Sequence, residues 1–325
     1  MRKAVINDKV LWVFWGLIVF CHVSLFGQFG NSTSRYMHTQ YFINPAYSGT
    51  LNTMSVNVMA RKQWMGIEGA PTSYHLAVHA PVNNTMMSVG GGFELESYGV
   101  NKLYSANVSY AYLLKISELT FLSLGLNTNL NNYQIGYSKL ALTHENDPNF
   151  SAGSRNTTGI TAGCGAFLYS QSFFAGLSVA HWANIKQADA DNGFDQVVGK
   201  KYFHVVSGYM FQINRSLVAK PSVWYRSASD FSEVNLGMQA MYRDLLWYGI
   251  LWSESGWLSN VFHVQITKDL GVGYAFDFAI GEKSINRNNH EISLSYKLND
   301  LIVPNKNREF GEKRTRKLLK SVRDF

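Results

Sequence analysis

Cysteine is nearly absent: Cys21 and Cys164 are the only two in 325 residues. Cys21 sits in an N-terminal apolar stretch, so the body of the chain keeps one thiol, which excludes an internal disulfide and any paired-cysteine zinc site. Charge is also scarce, at 16% of residues against roughly 25% in ordinary soluble domains. Beyond the N-terminus no segment approaches the roughly 20 continuous apolar residues that a membrane-spanning helix needs. There is no Gly-x-Ser-x-Gly elbow and no Walker A loop. The formal charge of +7 is carried partly by the N-terminus and by a basic stretch after Lys306. The middle is close to balanced, which argues against nucleic acid as a partner.

What the chain does have is 46% apolar residues, 14% aromatics and 27 glycines. Arg2, Lys3 and Lys9 precede an apolar run from Val10 to Phe26, and Gly27-Gln28 offers a cleavage point. Residues 1–27 read as a secretory signal peptide, with an uncleaved anchor as the alternative. Phe20 precedes Cys21 where lipidation requires a small residue, so lipidation is rejected.

The body shows period-2 alternation. From Tyr104 to Tyr112 the even positions are mostly apolar or aromatic and the odd ones small or polar. From Leu270 to Gly281 the even positions are Leu, Val, Tyr, Phe, Phe and Ile. Strand side chains alternate faces, so one face is apolar and the other small and polar. A soluble sandwich would carry Lys and Glu on its outer face. Here the polar face is Ser, Asn and Gly, and apolar faces end in aromatics such as Tyr104 and Tyr112, as an interfacial girdle requires. The expected fold is all-β: a transmembrane outer-membrane β-barrel of about 14 antiparallel strands over 54–298.

The strands are expected at 54–61, 72–81, 88–96, 103–113, 120–130, 160–169, 173–181, 202–212, 217–227, 232–242, 247–253, 259–267, 270–280 and 290–298. Links after even-numbered strands are short, including Asn83-Asn84 and Arg243-Asp244. Those after odd-numbered strands are mostly longer, with 131–159 and 182–201 the longest. That asymmetry places short turns and both termini in the periplasm. Leu124, Val272 and Phe276 should face lipid, and Ser123, Asn127 and Asp277 the lumen. A barrel this wide is not filled by its own side chains. The segment 28–53 is therefore a possible plug, and 299–325 a basic periplasmic tail.

Three stretches carry a resemblance to a known family. They are Gln40-Tyr41 with Asn44-Pro45-Ala46 and Gly49, then Arg61-Lys62-Gln63-Trp64 with Gly69-Ala70-Pro71-Thr72, then Gly273-Tyr274-Ala275-Phe276-Asp277 with His290-Glu291-Ile292. In this order they resemble the PorP/SprF family of the type IX secretion system. The resemblance implies an outer-membrane protein that supports protein export, adhesin display or gliding. It implies periplasmic ring components and secreted substrates with a C-terminal sorting domain as partners. It carries over no catalytic residue.

Site residues are therefore inferred from physics. Arg61, His75, His79, Glu94, Glu96, Lys220, Arg226, Asp277, Glu291 and Lys297 fall on the polar, lumen-facing side. Mixed signs suit pairing across the lumen, with a conducting or substrate-binding lumen as the alternative. Arg61, Gln63, Trp64, Gly69 and Pro71 are assigned to the first external loop as a binding surface, since Trp and Arg dominate binding hot spots. The alternative is a loop that simply folds onto the rim. Lys313, Arg314, Arg316 and Lys317, with Leu318, Val322 and Phe325 at helical spacing, suggest either a tail that docks on a periplasmic partner or a solvated overhang. Asp189, Asp191, Asn192 and Asp195 lack EF-hand spacing, and with His144, Glu145 and Asp147 they read as loop acids. No metal or cofactor is expected. The leading function is a non-enzymatic secretion component, set against a general or hydrophobic-solute porin and a barrel enzyme.

Overall fold

Lipid contact at every second residue decides the architecture. The computed structural model describes residues 36, 40–136, 154–187, 200–280 and 287–298. The signal segment, the two loop-acid clusters and the basic tail lie outside the described residues. The strands are β1 (Met54–Lys62), β2 (Thr72–Pro81), β3 (Met87–Tyr98), β4 (Asn101–Ser117) and β5 (Thr120–Ile135), followed by β6 (Arg155–Ser170) and β7 (Phe173–Gln187). β8 (Tyr202–Tyr209) and β9 (Phe211–Gln212) share one place in the wall, broken at Met210. Then come β10 (Leu217–Ala228), β11 (Phe231–Tyr242), β12 (Leu246–Ser253), β13 (Trp257–Gln265), β14 (Leu270–Ala279) and β15 (Asn289–Leu298). Neighbours pair antiparallel, and β1 pairs with β15 from Met54↔Leu298 to Lys62↔His290. The result is a closed barrel of 14 strands with no free edge, which removes the edge-pairing hazard of open sheets.

The alternation sorts as lipid demands. Val108, Leu126 and Ile292 stand exposed on the outer face. Leu124 and Tyr274 point the same way, while Ser123, Gly125 and Asp277 are turned inward and buried. Among the described residues no helix is long and apolar enough to cross a membrane. The lipid-facing rows end in polar side chains at one end. Above Leu130 on β5, Asn132 Nδ2 donates to Asn156 Oδ1 and Thr158 Oγ1, both at 2.7 Å. This outward amide cluster marks where β5 and β6 leave the hydrocarbon.

Two details depart from the sequence expectation. Strands β4 to β7 run longer, and the links at Gly99-Val100, Ser229-Asp230 and 254–256, on the side expected to carry the long loops, are as tight as the turns at the other end. In the three-residue link 243–245, Leu245 N donates to Tyr242 O at 3.1 Å and Arg243 and Asp244 both have φ near +50° (51° and 55°), the left-handed geometry that suits the strand twist of tight hairpin turns. β7 also carries an irregularity: its pairing with β6 shifts near Ala162, and His181 adopts φ 54°. There Ala180, His181 and Trp182 lie opposite Gly163 alone, and this insertion turns His181 to the Thr161 side, where Nδ1 lies 2.8 Å from Thr161 Oγ1. Strict alternation from sequence could not register that bulge.

Inside the wall lies the chain's own N-terminal segment. A single helical turn, α1 (Gln40–Ile43), is followed by a 3-10 turn at Pro45–Tyr47. Asn44 caps that turn by accepting a hydrogen bond from Ala46 N at 2.9 Å. Tyr41, Ile43, Ala46 and Tyr47 are buried in one apolar cluster with inward residues of the wall such as Phe121, Phe167 and Trp224.

Candidate functional site

The rim that carries the β1–β2 loop is organised by one buried ion cluster. Arg61, which the sequence placed both on the lumen-facing side and in the first external loop, lies on β1 and faces inward. Its guanidinium donates to Asp277 Oδ2 on β14 at 2.7 Å and to Glu291 Oε2 on β15 at 2.9 Å. All three are at least nine-tenths buried. A charged, doubly bonded guanidinium is the geometry in which a buried ion pair recovers its desolvation cost. Asn289 Nδ2 donates to Asp277 Oδ2 at 3.2 Å, while its Oδ1 accepts from Trp64 N at 3.0 Å. Arg61 of the first hairpin therefore meets Asp277 and Glu291 of the last one, and Trp64 meets Asn289, at the seam where the barrel closes.

Gln63, Trp64, Gly69 and Pro71 do lie in the loop between β1 and β2. That loop is tied down on both sides. Gln63 N donates to Pro71 O, Met65 N to Asn288 O, and Gly99 N to Gly69 O at 2.7 Å. Trp64 is half-buried against the seam, and the exposed tip is Met65-Gly66-Ile67-Glu68.

The remaining lumen residues fall into separate groups. His75 Nδ1 is 3.8 Å from Glu94 Oε2 across β2 and β3, and Phe42 of α1 packs edge-on to its ring. His79 is fully buried, stacked on Tyr41, and accepts from Gly49 N. Arg226 pairs with Glu233 and lies over the Trp224 and Phe231 rings. Lys220 is buried with its ammonium 5.5 Å from the Phe174 ring and 5.7 Å from that of Trp247. Among the described residues no group of His, Cys, Asp or Glu is arranged to hold a metal ion.

Two sets of residues escaped the sequence reading. Glu233 shares the inward parity of Asn235, Gly237 and Gln239, and that parity was the signal that could have found it. Ser253 and Ser255 also donate to Glu233 Oε1. The second set is Tyr36 and Asn44, whose partners lie more than a hundred residues away. Tyr36 OH is 2.8 Å from Ser222 Oγ, and Asn44 Nδ2 donates to Ala166 O and Leu177 O. Burial pushes the Tyr41 phenol up to about 12 and raises that of Tyr36 as well, so both stay neutral hydrogen-bonding groups.

The family model for "Type IX secretion system membrane protein PorP/SprF" matches residues 29–296, which takes in the N-terminal segment and the whole barrel to its last strand. The chain belongs to the PorP/SprF family. It is an outer-membrane protein of the type IX secretion system, and family and fold together point to a structural or transport role rather than an enzymatic one. No curated protein matches this PorP/SprF chain in sequence. Among solved structures it resembles the CymD monoaromatic hydrocarbon channel, at TM-score 0.50 and 12% identity, over 83% of this chain and 94% of that one. A Pseudomonas aeruginosa FadL homologue matches at TM-score 0.44 and 9% identity, over 79% and 93% of the two chains. Acinetobacter baumannii Omp33 matches at 0.43 and 10%, over 76% and 98%. At such identities the CymD likeness speaks for the barrel fold alone.

Proposed function

We propose that this PorP/SprF barrel supports export or surface attachment of large secreted proteins, adhesins among them. In this reading the barrel acts as a membrane-embedded docking platform and not as a solute pore. The observation that carries the reading is the family match across residues 29–296. The rim supports it: the β1–β2 loop is held on both flanks by backbone hydrogen bonds, which pre-organises a surface for a partner. Gln63, Trp64, Gly69 and Pro71, braced by Arg61, would present that loop to substrates with a C-terminal sorting domain. Lys313, Arg314, Arg316 and Lys317 would face acidic surfaces of the periplasmic ring components.

Deleting the protein should abolish surface display of one or a few large secreted proteins and leave small-solute uptake unchanged, as read by surface immunolabelling beside a solute-uptake assay. Normal display with lost uptake would instead establish the porin reading. Changing Lys313, Arg314, Arg316 and Lys317 to Glu turns attraction into like-charge repulsion. Recovery of the ring complex by pull-down should then fall several-fold, most at low salt. Unchanged recovery and display would leave the tail without a docking role.

A further inference from the structure

Glycines on the inner wall are placed where the N-terminal segment lies. A Cβ on Gly125 of β5 would stand 2.5 Å from Ala46 Cα, against backbone that cannot swing aside. One on Gly90 of β3 would come 2.7 Å from Tyr41 Cε2. One on Gly165 of β6 would strike the Asn44 carboxamide, and one on Gly176 of β7 would lie 3.1 Å from Asn44 Nδ2. Neighbours on the same inward face, such as Ser123 and Asn127, carry side chains without difficulty. Gly49, at φ 68°, turns the segment back toward β1 where a Cβ would strike Ser88.

Directional bonds complete the fit. Asn44 reads a main-chain carbonyl on each of β6 and β7, and Ser178 Oγ donates to Ile43 O at 2.6 Å. Tyr41 OH donates to Asn107 Oδ1 at 2.8 Å, and Ser48 Oγ lies 2.8 Å from Ser109 Oγ. Contacts run from β2 through β7 and, by way of Tyr36, reach β10 and β11. On the far side the inward residues are inaccessible too: Ala275, Val261 and Leu251 are 0%, 1% and 4% exposed.

We propose that the inner wall is a peptide-binding seat, specific for the Tyr-Phe-Ile-Asn-Pro-Ala turn, whose resident ligand is the chain's own residues 40–49. Occupancy of that seat closes a lumen that the wall's side chains alone would leave open. This is independent of the export role.

The test is single-channel recording in planar lipid bilayers. The intact chain should be silent. A chain lacking residues 28–49 should give stable steps at least tenfold above the intact chain, and Gly125→Val should behave like the deletion. Gly91→Ala should stay silent, because Gly91 faces outward and a Cβ there meets only Asn107 O at 3.6 Å. A synthetic peptide of residues 36–53, added from the periplasmic side, should close the deletion chain saturably. It should fail on the deletion chain that also carries Gly125→Val, and should act more weakly when it bears Asn44→Ala. An intact chain that conducts like the deletion, or a folded deletion that stays silent or ignores the peptide, would overturn the proposal. Heat-modifiable electrophoretic mobility reports folding of each variant. Should the deletion not fold, Ser48→Cys with Ser109→Cys in a Cys164→Ser background decides the matter. Efficient cross-linking in membranes is expected, and its absence would remove the segment from the seat. Surface display is measured separately, so failure here leaves the export reading standing.

Discussion

Replacing Arg61 by Met should destabilise the barrel by about 3–5 kcal/mol, the range for removing one partner from a buried ion cluster. Asp277 and Glu291 would be left as neighbouring carboxylates, 2% and 1% exposed, with no cation between them. The loss falls on the β1–β15 seam, where the first and last strands must find each other across the whole length of the chain. Urea unfolding in detergent micelles, followed by the heat-modifiable mobility of the folded band, measures it. Adding Asp277→Asn and Glu291→Gln to Arg61→Met should recover a large part of the loss, since neutral amides need no counter-ion. A loss below about 1 kcal/mol, or a triple variant as unstable as the single one, would show that the cluster does not hold the seam.

An arginine at Leu126 should cost about 2–4 kcal/mol, as a cation near the membrane midplane does in such barrels. Leu126 is 60% exposed at the middle of β5's outer face. The same change at Ser293, inward and only partly buried on β15, should cost much less. Ser123 also points inward, but it is 1% exposed, so an arginine there would meet packed neighbours and bury an unpaired charge, and should cost at least as much as one at Leu126. Inward parity alone does not make a position tolerant once the lumen is filled. Equal losses at positions 126 and 293 in the same unfolding assay would mean that the register of the wall is wrong.

These two cases show what the sequence made legible. Lipid leaves a clear mark, because outward residues at membrane height are mostly apolar, and β1, β2, β10 and β15 begin and end within a residue of where alternation placed them. The longer walls of β4 to β7 were cut short because polar residues such as Asn132 and Asn156 interrupt the apolar face once the strands leave the membrane. The inward face obeys no such rule. Arg61 finds Asp277 across 216 positions, and Tyr36 finds Ser222 across 186. No local pattern records such pairings, so composition suggested mixed charges without saying which meet. The left-handed kink at His181 is invisible for the same reason: nothing in Ala180-His181-Trp182 announces that these three residues face Gly163 alone.

The unequal strand lengths give a nominally round pipe a direction. β4 to β7 run 15–17 residues, whereas β12 to β15 and β1 run 8–10. At roughly 3.3 Å per residue and a tilt near 40°, a ten-residue strand rises ~25 Å, the height of the apolar band, and a seventeen-residue strand rises ~43 Å. The ~18 Å difference is shared between the two ends of the barrel, since β4 also runs past Tyr112, the partner of Met87, to Ser117 at the turn beside Glu118, so neither rim is level. A large molecule resting on an uneven rim would meet a higher wall on the β4–β7 side and a lower one opposite, where it would find its exit. Rotating the barrel about its axis changes which neighbour in the leaflet that exit faces.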